Sequence, residues 1–244
     1  MIQGVFKAVE RFLLPNCCVV CSRPVGESDP DALVCVTCRS RLRPIPAGCK
    51  RCSQPLPPVG PCQVCKDWPV GFAHATSAVW LGEEAREIVH HLKYEGFTRL
   101  AAVAAASIAQ HASPPPVEAT LIPIPLGVKR SFERGYNQAE EIAVALRKIW
   151  AIPVAKDVIR RFRETASQTS LTPQERVENV NAAFRAIHPV TTATNVAILV
   201  DDVFTTGATL SAAASALLDA GWREVHAVTF ARALTFAVRV ESQC

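Results

Sequence analysis

From about residue 71 onward, apolar residues recur in two alternating patterns. Short apolar or β-branched runs predict strands at 74–81, 119–125, 196–200 and 224–232. Apolar residues at helical spacing, or in alanine-rich runs, predict the intervening helices at 83–94, 98–112, 137–150 and 208–221. This alternation is typical of an α/β fold with a doubly wound, mostly parallel sheet. In such a sheet, ligands bind beyond the carboxyl ends of the strands.

Several element ends are also marked in the sequence. Asn137 and Glu140 predict an N-terminal capping box for the helix 137–150, which has the clearest helical periodicity. The proline run 114–116 ends the preceding helix, and Gly221 is a stop signal for the last one. The boundaries therefore agree with the periodicity.

The first 70 residues follow neither pattern. They are rich in proline and contain nine of the ten cysteines. Pro69 and Gly71 then interrupt local structure in the segment 65–72. We therefore predict two domains, a small cysteine-rich one at 1–70 and an α/β one at 71–244.

The overall composition is that of a soluble globular protein, with 49% apolar and 20% charged residues. We find no apolar run long enough for a transmembrane helix. Charged residues interrupt the apolar N-terminus, which also lacks the small-residue cleavage site of a secretory signal. It predicts a short amphipathic helix that ends before Pro15. We expect a cytoplasmic protein.

The cysteines form four Cys-x-x-Cys pairs, a spacing that places two sulfurs on one tight turn. The pairs are Cys18 with Cys21, Cys35 with Cys38, Cys49 with Cys52, and Cys62 with Cys65. Two such pairs complete a tetrahedral zinc site, so the sequence predicts two structural zinc ions rather than disulfides. Short separations favour joining the first pair to the second and the third to the fourth, although an interleaved pairing is also compatible. Cys17 is an alternative to Cys18, which has the better spacing.

The formal net charge is +4, with cysteine counted as neutral. Two four-thiolate zinc sites would each add about −2, which brings the balance to about zero. Global charge is therefore weak support for nucleic-acid binding. Two local basic clusters remain, and most such clusters are solvated faces. They comprise Arg39, Arg41, Arg43, Lys50 and Arg51 in the first, and Arg147, Lys148, Lys156, Arg160, Arg161 and Arg163 in the second.

The segment 197–210, AILVDDVFTTGATL, carries more polar chemistry than a strand-to-helix turn requires. Two aspartates follow the apolar strand, and a helix starting near Ala208 would present free N–H groups to an anion. Threonine hydroxyls add donors, and Gly207 lets the backbone approach closely. The segment lacks the lysine of an ATP-binding P-loop. It predicts a site for one phosphate beside a ribose, with carboxylates suited to Mg²⁺.

This segment resembles the phosphoribosyl pyrophosphate (PRPP) signature of type I phosphoribosyltransferases. The whole chain resembles the competence protein ComF family, which joins a double zinc ribbon to a phosphoribosyltransferase domain. The resemblance rests on the four cysteine pairs and on three further motifs, HHLKYEG at 90–96, IPIPLGVKRSFERGYNQAEEIA at 122–143, and SQTSLTPQERVENVNAAF at 167–184. It implies Mg–PRPP as ligand, a role in DNA uptake, and single-stranded DNA and a helicase-like protein as partners.

The resemblance also implies roles for individual residues. Asp201 and Asp202 would hold the ribose hydroxyls. The 5′-phosphate would be held by Thr205, Thr206, Gly207, Ala208 and Thr209. The pyrophosphate would be met by a loop containing Lys129, Arg130, Arg134 and Gly135, and by a mobile loop at 160–177 containing Arg160, Arg161 and Arg176.

Six further polar residues are given no single role in ligand binding. Asn137 and Gln138 either cap their helix or touch the ligand, and both readings are kept. Lys93 belongs to the HHLKYEG motif, but the sequence does not indicate its role. His90, His91 and His226 lie on predicted elements and are interpreted as structural rather than catalytic.

The implied reaction displaces pyrophosphate from the anomeric carbon of the ribose by a nitrogen nucleophile. Positioning and charge stabilisation would supply the catalysis without a dedicated acid or base. Two alternatives remain, an accessory protein that retains the PRPP fold and binds single-stranded DNA, and a zinc-stabilised interaction protein without PRPP affinity. The sequence does not reveal the acceptor.

Overall fold

Four parallel strands form the central sheet of the chain. The computed structural model describes residues 17–25, 33–55, 62–112, 118–162, 183–187 and 195–233. Within these ranges the strands are β1 (Phe72–Trp80), β2 (Thr120–Pro123), β3 (Ile159–Arg161), β4 (Phe184–Ala186), β5 (Val196–Phe204) and β6 (Glu224–Arg232). The helices are α1 (Val36–Ser40), α2 (Glu83–Tyr94), α3 (Leu100–His111), α4 (Val128–Arg134), α5 (Gln138–Trp150) and α6 (Ala208–Asp219).

The strand order of the sheet is β1-β6-β5-β2, and every adjacent pair is parallel. In register, Val200 of β5 lies between Pro123 of β2 and Val228 of β6. All four carboxyl ends therefore meet at one edge, which we call the carboxyl edge. Strands β3 and β4 form a separate antiparallel pair.

Apolar residues cover both faces of the sheet. Along β5, Ile198 and Val200 face α2, α3 and α5, whereas Ala197 and Leu199 face α6 and the β3–β4 pair. Such alternation without a polar face is the pattern of a strand buried on both sides. The predicted α/β fold is confirmed.

The structure extends two predictions and corrects a third. Strand β5 continues to Phe204 because β6 keeps pairing with it, so both aspartates lie inside the strand rather than after it. The segment after β2, predicted as a loop, contains the short helix α4. Asn137 caps α5 by accepting a hydrogen bond from the Ala139 N–H, but Glu140 pairs with Lys156 instead of completing a capping box.

The cysteine-rich segment packs along the open edge of β1. Backbone N–H groups of Ala75 and Trp80 donate to the carbonyls of Arg51 and Arg43, at 2.8 and 2.9 Å. Arg51 itself donates to the carbonyls of Cys65 and Phe72, each at 3.0 Å, so it is a structural residue rather than part of a basic patch. This packing satisfies donors that an uncovered edge strand would leave exposed.

Two sequence predictions lie outside the described residues. These are the amphipathic helix before Pro15 and most of the loop 160–177, including Arg176. Among the helices of the described ranges, none has the length and apolar character needed to cross a bilayer.

Candidate functional site

A cavity of about 530 Å³ opens at the carboxyl edge, within the size range of small-molecule sites. The ends of β1, β2 and β5 and the helices that follow them build its walls. Its lining residues are Leu81, Arg86, Val89, His90, Lys93, Tyr94, Ile124, Pro125, Leu126, Arg130, Arg134, Gln138, Arg161, Asp201, Asp202, Val203, Thr205 and Thr209.

The floor of the cavity is the acidic pair at the end of β5. Asp202 is buried and forms an ion pair with Lys93 of α2. Gln138, at the start of α5, donates from Nε2 to Oδ1 of Asp202 at 3.3 Å. Side chains from two helices, α2 and α5, therefore hold this carboxylate of β5. The HHLKYEG motif thus has a physical role, because it supplies the cation that pairs with the acidic floor.

Asp201 is less well compensated than Asp202. Its Oδ1 accepts the backbone N–H of Asp202 at 2.8 Å. Desolvation raises the pKa of Asp201 well above its usual value, and the charge of Asp202 raises it further, against a smaller opposing effect of Lys93. Two adjacent carboxylates with one cation form a site that a metal ion or hydroxyl donors would stabilise.

The turn 205–209 links β5 to α6 beside this floor. Gly207 has φ +82°, a left-handed conformation that favours glycine. The Ala208 N–H donates to Oγ1 of Thr206 at 3.3 Å, and α6 begins at Ala208 as predicted. Thr205 and Thr209 line the cavity, whereas the other three residues shape the turn.

Basic residues form a further wall of the cavity that holds the acidic floor. Arg130 and Arg134 of α4 and Arg161 of β3 line the cavity. Arg134 lies 5.0 Å over the Tyr94 ring and donates to Oε1 of Gln138 at 2.5 Å. The same contacts link it to Asp202 through Gln138.

The structure separates the remaining predicted residues from this wall. Lys129 lies near Glu133 at 3.9 Å on the exposed side of α4. Gly135, with φ +72°, ends α4, and Arg160 is an exposed residue of β3 opposite Arg185. Of the predicted basic residues that the structure describes, only Arg130, Arg134 and Arg161 line the cavity.

Some lining residues were not assigned from the sequence. Arg86 and His90 are one helical turn apart on α2 and face the cavity together. Of the two residues with alternative roles, Gln138 contacts Asp202 in the cavity, whereas its neighbour Asn137 caps α5. The HHLKYEG motif was the sequence signal that marked α2. Its role becomes clear only in the fold, because α2 passes over the carboxyl edge and brings its side chains to the cavity.

Positive charge predominates among the described residues that line the cavity. They contribute five cationic side chains and two carboxylates. A concave site with this balance attracts polyanions by electrostatic focusing. The chemistry of the lining therefore fits a ligand that combines several phosphate groups with hydroxyls or a divalent cation.

The cysteines form two clusters, with the ligand atoms of each cluster within 4.8 Å of one another. The first cysteine group is Cys18, Cys21, Cys35 and Cys38, and the second cysteine group is Cys49, Cys52, Cys62 and Cys65. The pairing favoured by the sequence is confirmed, and exposed Cys17 lies outside both groups.

Both groups could bind zinc. Sulfur separations are 3.8 Å between Cys21 and Cys35 and 3.5 Å between Cys52 and Cys62. A tetrahedron with bonds of about 2.3 Å has edges of about 3.8 Å. Burial opposes ionisation of Cys18, but backbone N–H groups of Cys35, Cys21 and Val20 lower its pKa to about 7. In the same group, burial and hydrogen bonds to the neighbouring thiols raise the pKa of Cys38, so the thiols do not ionise equally without a metal ion.

Comparison with known proteins agrees with this geometry. Residues 129–242 match the phosphoribosyl transferase domain family. Competence protein ComFC of Bacillus subtilis is 29% identical over 201 residues, covering 79% of this chain and 80% of that protein. The resemblance to the ComF family is confirmed. The matched stretch 129–242 includes the acidic floor and the turn, but it begins after α2 and thus excludes Lys93.

Two other proteins to which this chain is similar have related names. DNA utilization protein YhgH of Salmonella typhi is 29% identical over 231 residues, covering 91% of this chain and 99% of that protein. Competence protein F of Haemophilus influenzae is 34% identical over 114 residues, covering 46% of this chain and 50% of that protein. The match to YhgH spans the cysteine-rich and α/β parts together.

Proposed function

We propose that this chain binds Mg–PRPP in the carboxyl-edge cavity and serves DNA uptake. One observation carries the ligand assignment. The acidic pair Asp201 and Asp202 and the turn 205–209 share one cavity with Arg130 and Arg134. A phosphorylated sugar with a diphosphate needs hydroxyl acceptors, a phosphate-binding turn and cationic side chains close together.

The proposed roles follow from the chemistry of each wall. The two carboxylates accept hydrogen bonds from the ribose hydroxyls and would be the residues that hold Mg²⁺. Backbone N–H groups at the start of α6 and the hydroxyls of Thr205 and Thr209 donate to the 5′-phosphate, and Thr206, Gly207 and Ala208 shape the turn that holds it. Arg130, Arg134 and Arg161 neutralise the pyrophosphate, since guanidinium groups bind such oxygens in pairs. Lys129, Gly135 and Arg160 do not line the cavity formed by the described residues, and together with Arg176 of the loop 160–177 they stay candidates for the pyrophosphate.

The proposed reaction is transfer of the phosphoribosyl group to a nitrogen acceptor. The nitrogen forms a bond to the anomeric carbon, the carbon–oxygen bond to pyrophosphate breaks, and the acceptor loses a proton to solvent. Bound Mg²⁺ supplies charge neutralisation on the diphosphate. The residues of the chain hold the sugar against the acidic floor and stabilise the leaving group by positive charge.

Calorimetry tests the binding proposal. Wild type is expected to bind Mg–PRPP with a dissociation constant of about micromolar magnitude. The Asp201→Asn, Asp202→Asn double variant should lose this heat, because its floor no longer offers carboxylates. Asp219→Asn, an exposed change at the far end of α6, is the control and should bind like wild type. Equal heats in the double variant and wild type would reject the site.

A second measurement separates an enzyme from a binder. Protein, Mg–PRPP and a panel of amines are mixed, and released pyrophosphate is measured. Pyrophosphate release that depends on an amine, and that is slower in Arg134→Gln, would establish phosphoribosyl transfer. Binding without release for every amine would favour the accessory-protein alternative.

Relatives named for competence and DNA utilization support the proposed role in DNA uptake. Arg41 and Arg43 are exposed next to the first cysteine group and provide a surface for single-stranded DNA or a helicase-like partner, with Arg39 beside them. If DNA binds there, its affinity will fall steeply with salt, and the triple alanine variant of these arginines will remove it. Salt-dependent binding unaffected by that variant would place the DNA elsewhere.

Two structural zinc ions complete the proposal, one in each cysteine group. The cysteine-rich part, 1–70, and the α/β part, 71–244, are proposed as distinct domains that share an interface along β1. Since thiolate ligands persist under reducing conditions, the cytoplasm is the proposed compartment.

A further inference from the structure

Arg232 connects the cysteine-rich part to the end of β5, next to the turn 205–209. It is the last residue of β6, and its side chain is fully buried. Nη1 donates to the carbonyl of Cys52 at 2.6 Å, and Nε donates to Oε1 of Gln54 at 3.0 Å. The guanidinium also lies 3.9 Å over the Phe204 ring. One side chain thus joins the second cysteine group to the end of β5.

Phe204 in turn contacts the turn 205–209. A Cβ atom on Gly207 would lie 2.7 Å from Cζ of Phe204 and 3.2 Å from Cζ2 of Trp68. Both rings therefore pack directly beneath the turn. Trp68 stacks on Phe72 with a centroid distance of 4.2 Å and lies 6.2 Å from the Phe204 ring.

The position of Trp68 is set by the second cysteine group. Trp68 follows Cys65 by three positions, and the backbone N–H of Trp68 donates to the Cys65 carbonyl at 3.3 Å. Arg51 lies between Cys49 and Cys52 and donates to the carbonyls of Cys65 and Trp68 at 3.0 and 3.3 Å. The surface beneath the turn is consequently built on this cysteine group.

Charge adds a second connection. A buried guanidinium is costly unless a negative charge or hydrogen-bond acceptors compensate it. A four-thiolate zinc site carries about −2 and would lie beside Arg232 at the second cysteine group. Three cysteines of the first group, Cys18, Cys35 and Cys38, belong to the other core cluster, on the opposite face of the sheet. The first cysteine group makes no such contact among the described residues.

We propose that Arg232 is a positioning residue for the turn 205–209, and that metal at the second cysteine group is required to keep this turn ordered. Metal at the first cysteine group has no such effect. The inference rests on the proposed function only for the identity of the ligand, because order in the turn is measurable without PRPP.

Amide hydrogen exchange of ligand-free protein tests the metal dependence. Cys49→Ser and Cys21→Ser are a matched pair, since each removes one partly exposed ligand from one group. Cys49→Ser should speed exchange at 204–209 by about tenfold or more, and Cys21→Ser by less than about twofold. Equal effects, or no effect of Cys49→Ser, would overturn the proposal. If either cysteine variant fails to fold, Trp68→Phe replaces the pair and should speed exchange at 204–209 but not in α5.

Ligand affinity tests Arg232 itself. Arg232→Met should weaken Mg–PRPP binding by about tenfold, with zinc content unchanged, and Arg232→Lys should recover part of the loss. Binding is measured well below the melting temperature of each variant. A variant with a lower melting temperature but wild-type affinity would show a purely structural role and reject the proposal. If wild type binds no PRPP, the proposed function fails, and exchange at 204–209 in the Arg232 variants decides this inference alone.

Discussion

Lys93 forms an ion pair with Asp202, a residue that is distant in sequence but adjacent at the carboxyl edge. Tyr136, from the turn between α4 and α5, donates to the Leu92 carbonyl at 2.5 Å and helps to keep α2 across this edge. The side chain of Lys93 is 20% exposed and that of Asp202 is 5% exposed. At this burial, an ion pair that loses one partner leaves a costly uncompensated charge.

Removing this cation should therefore reduce stability in a pH-dependent way. Lys93→Met is expected to lower the free energy of unfolding by about 3 kcal/mol near neutral pH. Lys93 lowers the pKa of Asp201, so its loss raises that pKa further, and the folded state takes up a proton more readily. The deficit should be full above the raised pKa of Asp201 and should shrink as pH falls through it, as measured by urea unfolding across pH.

The control for this experiment is Lys129→Met. Lys129 and Glu133 form an exposed pair at 3.9 Å, with side chains 71% and 60% exposed. Such pairs contribute at most about 1 kcal/mol. A Lys93→Met deficit as small as that of the control would contradict the importance of the buried pair.

Asp201→Asn should make the ligand-free protein more stable at neutral pH. The folded-state pKa of Asp201 is raised above its ordinary value of 3.8 by desolvation and by Asp202. A carboxyl group whose pKa is raised in the folded state destabilises the fold once the pH exceeds its pKa in the unfolded state. The stability gained by Asp201→Asn should therefore be absent near pH 3 and increase as pH rises. Melting temperatures measured across pH check this expectation. A constant difference at all pH values would exclude the electrostatic explanation.

Zinc content distinguishes two adjacent cysteines. Cys18 belongs to the first cysteine group, whereas Cys17 is exposed and outside it. Cys17→Ser should retain about two zinc ions per chain and Cys18→Ser about one, because a tetrahedral structural site needs four ligands. Metal analysis after exhaustive dialysis measures both. Loss of zinc from Cys17→Ser would reverse the ligand assignment.

Gly207→Ala should lower the stability of the fold more than Gly221→Ala, which imposes a similar backbone strain. Gly207 and Gly221 have φ +82° and +95°, so alanine costs about 1–2 kcal/mol at either position. At Gly207 the new methyl group would also lie 2.7 Å from the Phe204 ring, whereas nothing lies within 4 Å at Gly221. Gly207→Ala should therefore unfold at lower urea concentration and bind Mg–PRPP more weakly. Equal unfolding midpoints would show that Phe204 moves aside without cost.

Local patterns predicted the elements that are buried on both sides or carry strong end signals. The apolar run of β5 and the helix start at Ala208 appear where the sequence indicated. Helix α4 was missed because none of its residues is buried, so it has no apolar periodicity to detect. Strands β3 and β4 have only three residues each, and their pairing joins distant segments.

The sequence by itself determined the α/β alternation, the cysteine spacing and the order of acidic pair and turn, since each depends on neighbours along the chain. Only the tertiary structure decided which distant side chains meet. Cys52 and Arg232 are separated by 180 positions, and Gln138 and Asp202 by 64, yet both pairs are hydrogen-bonded. Parallel strand order brings these residues to one edge, and spacing along a chain contains no record of that order.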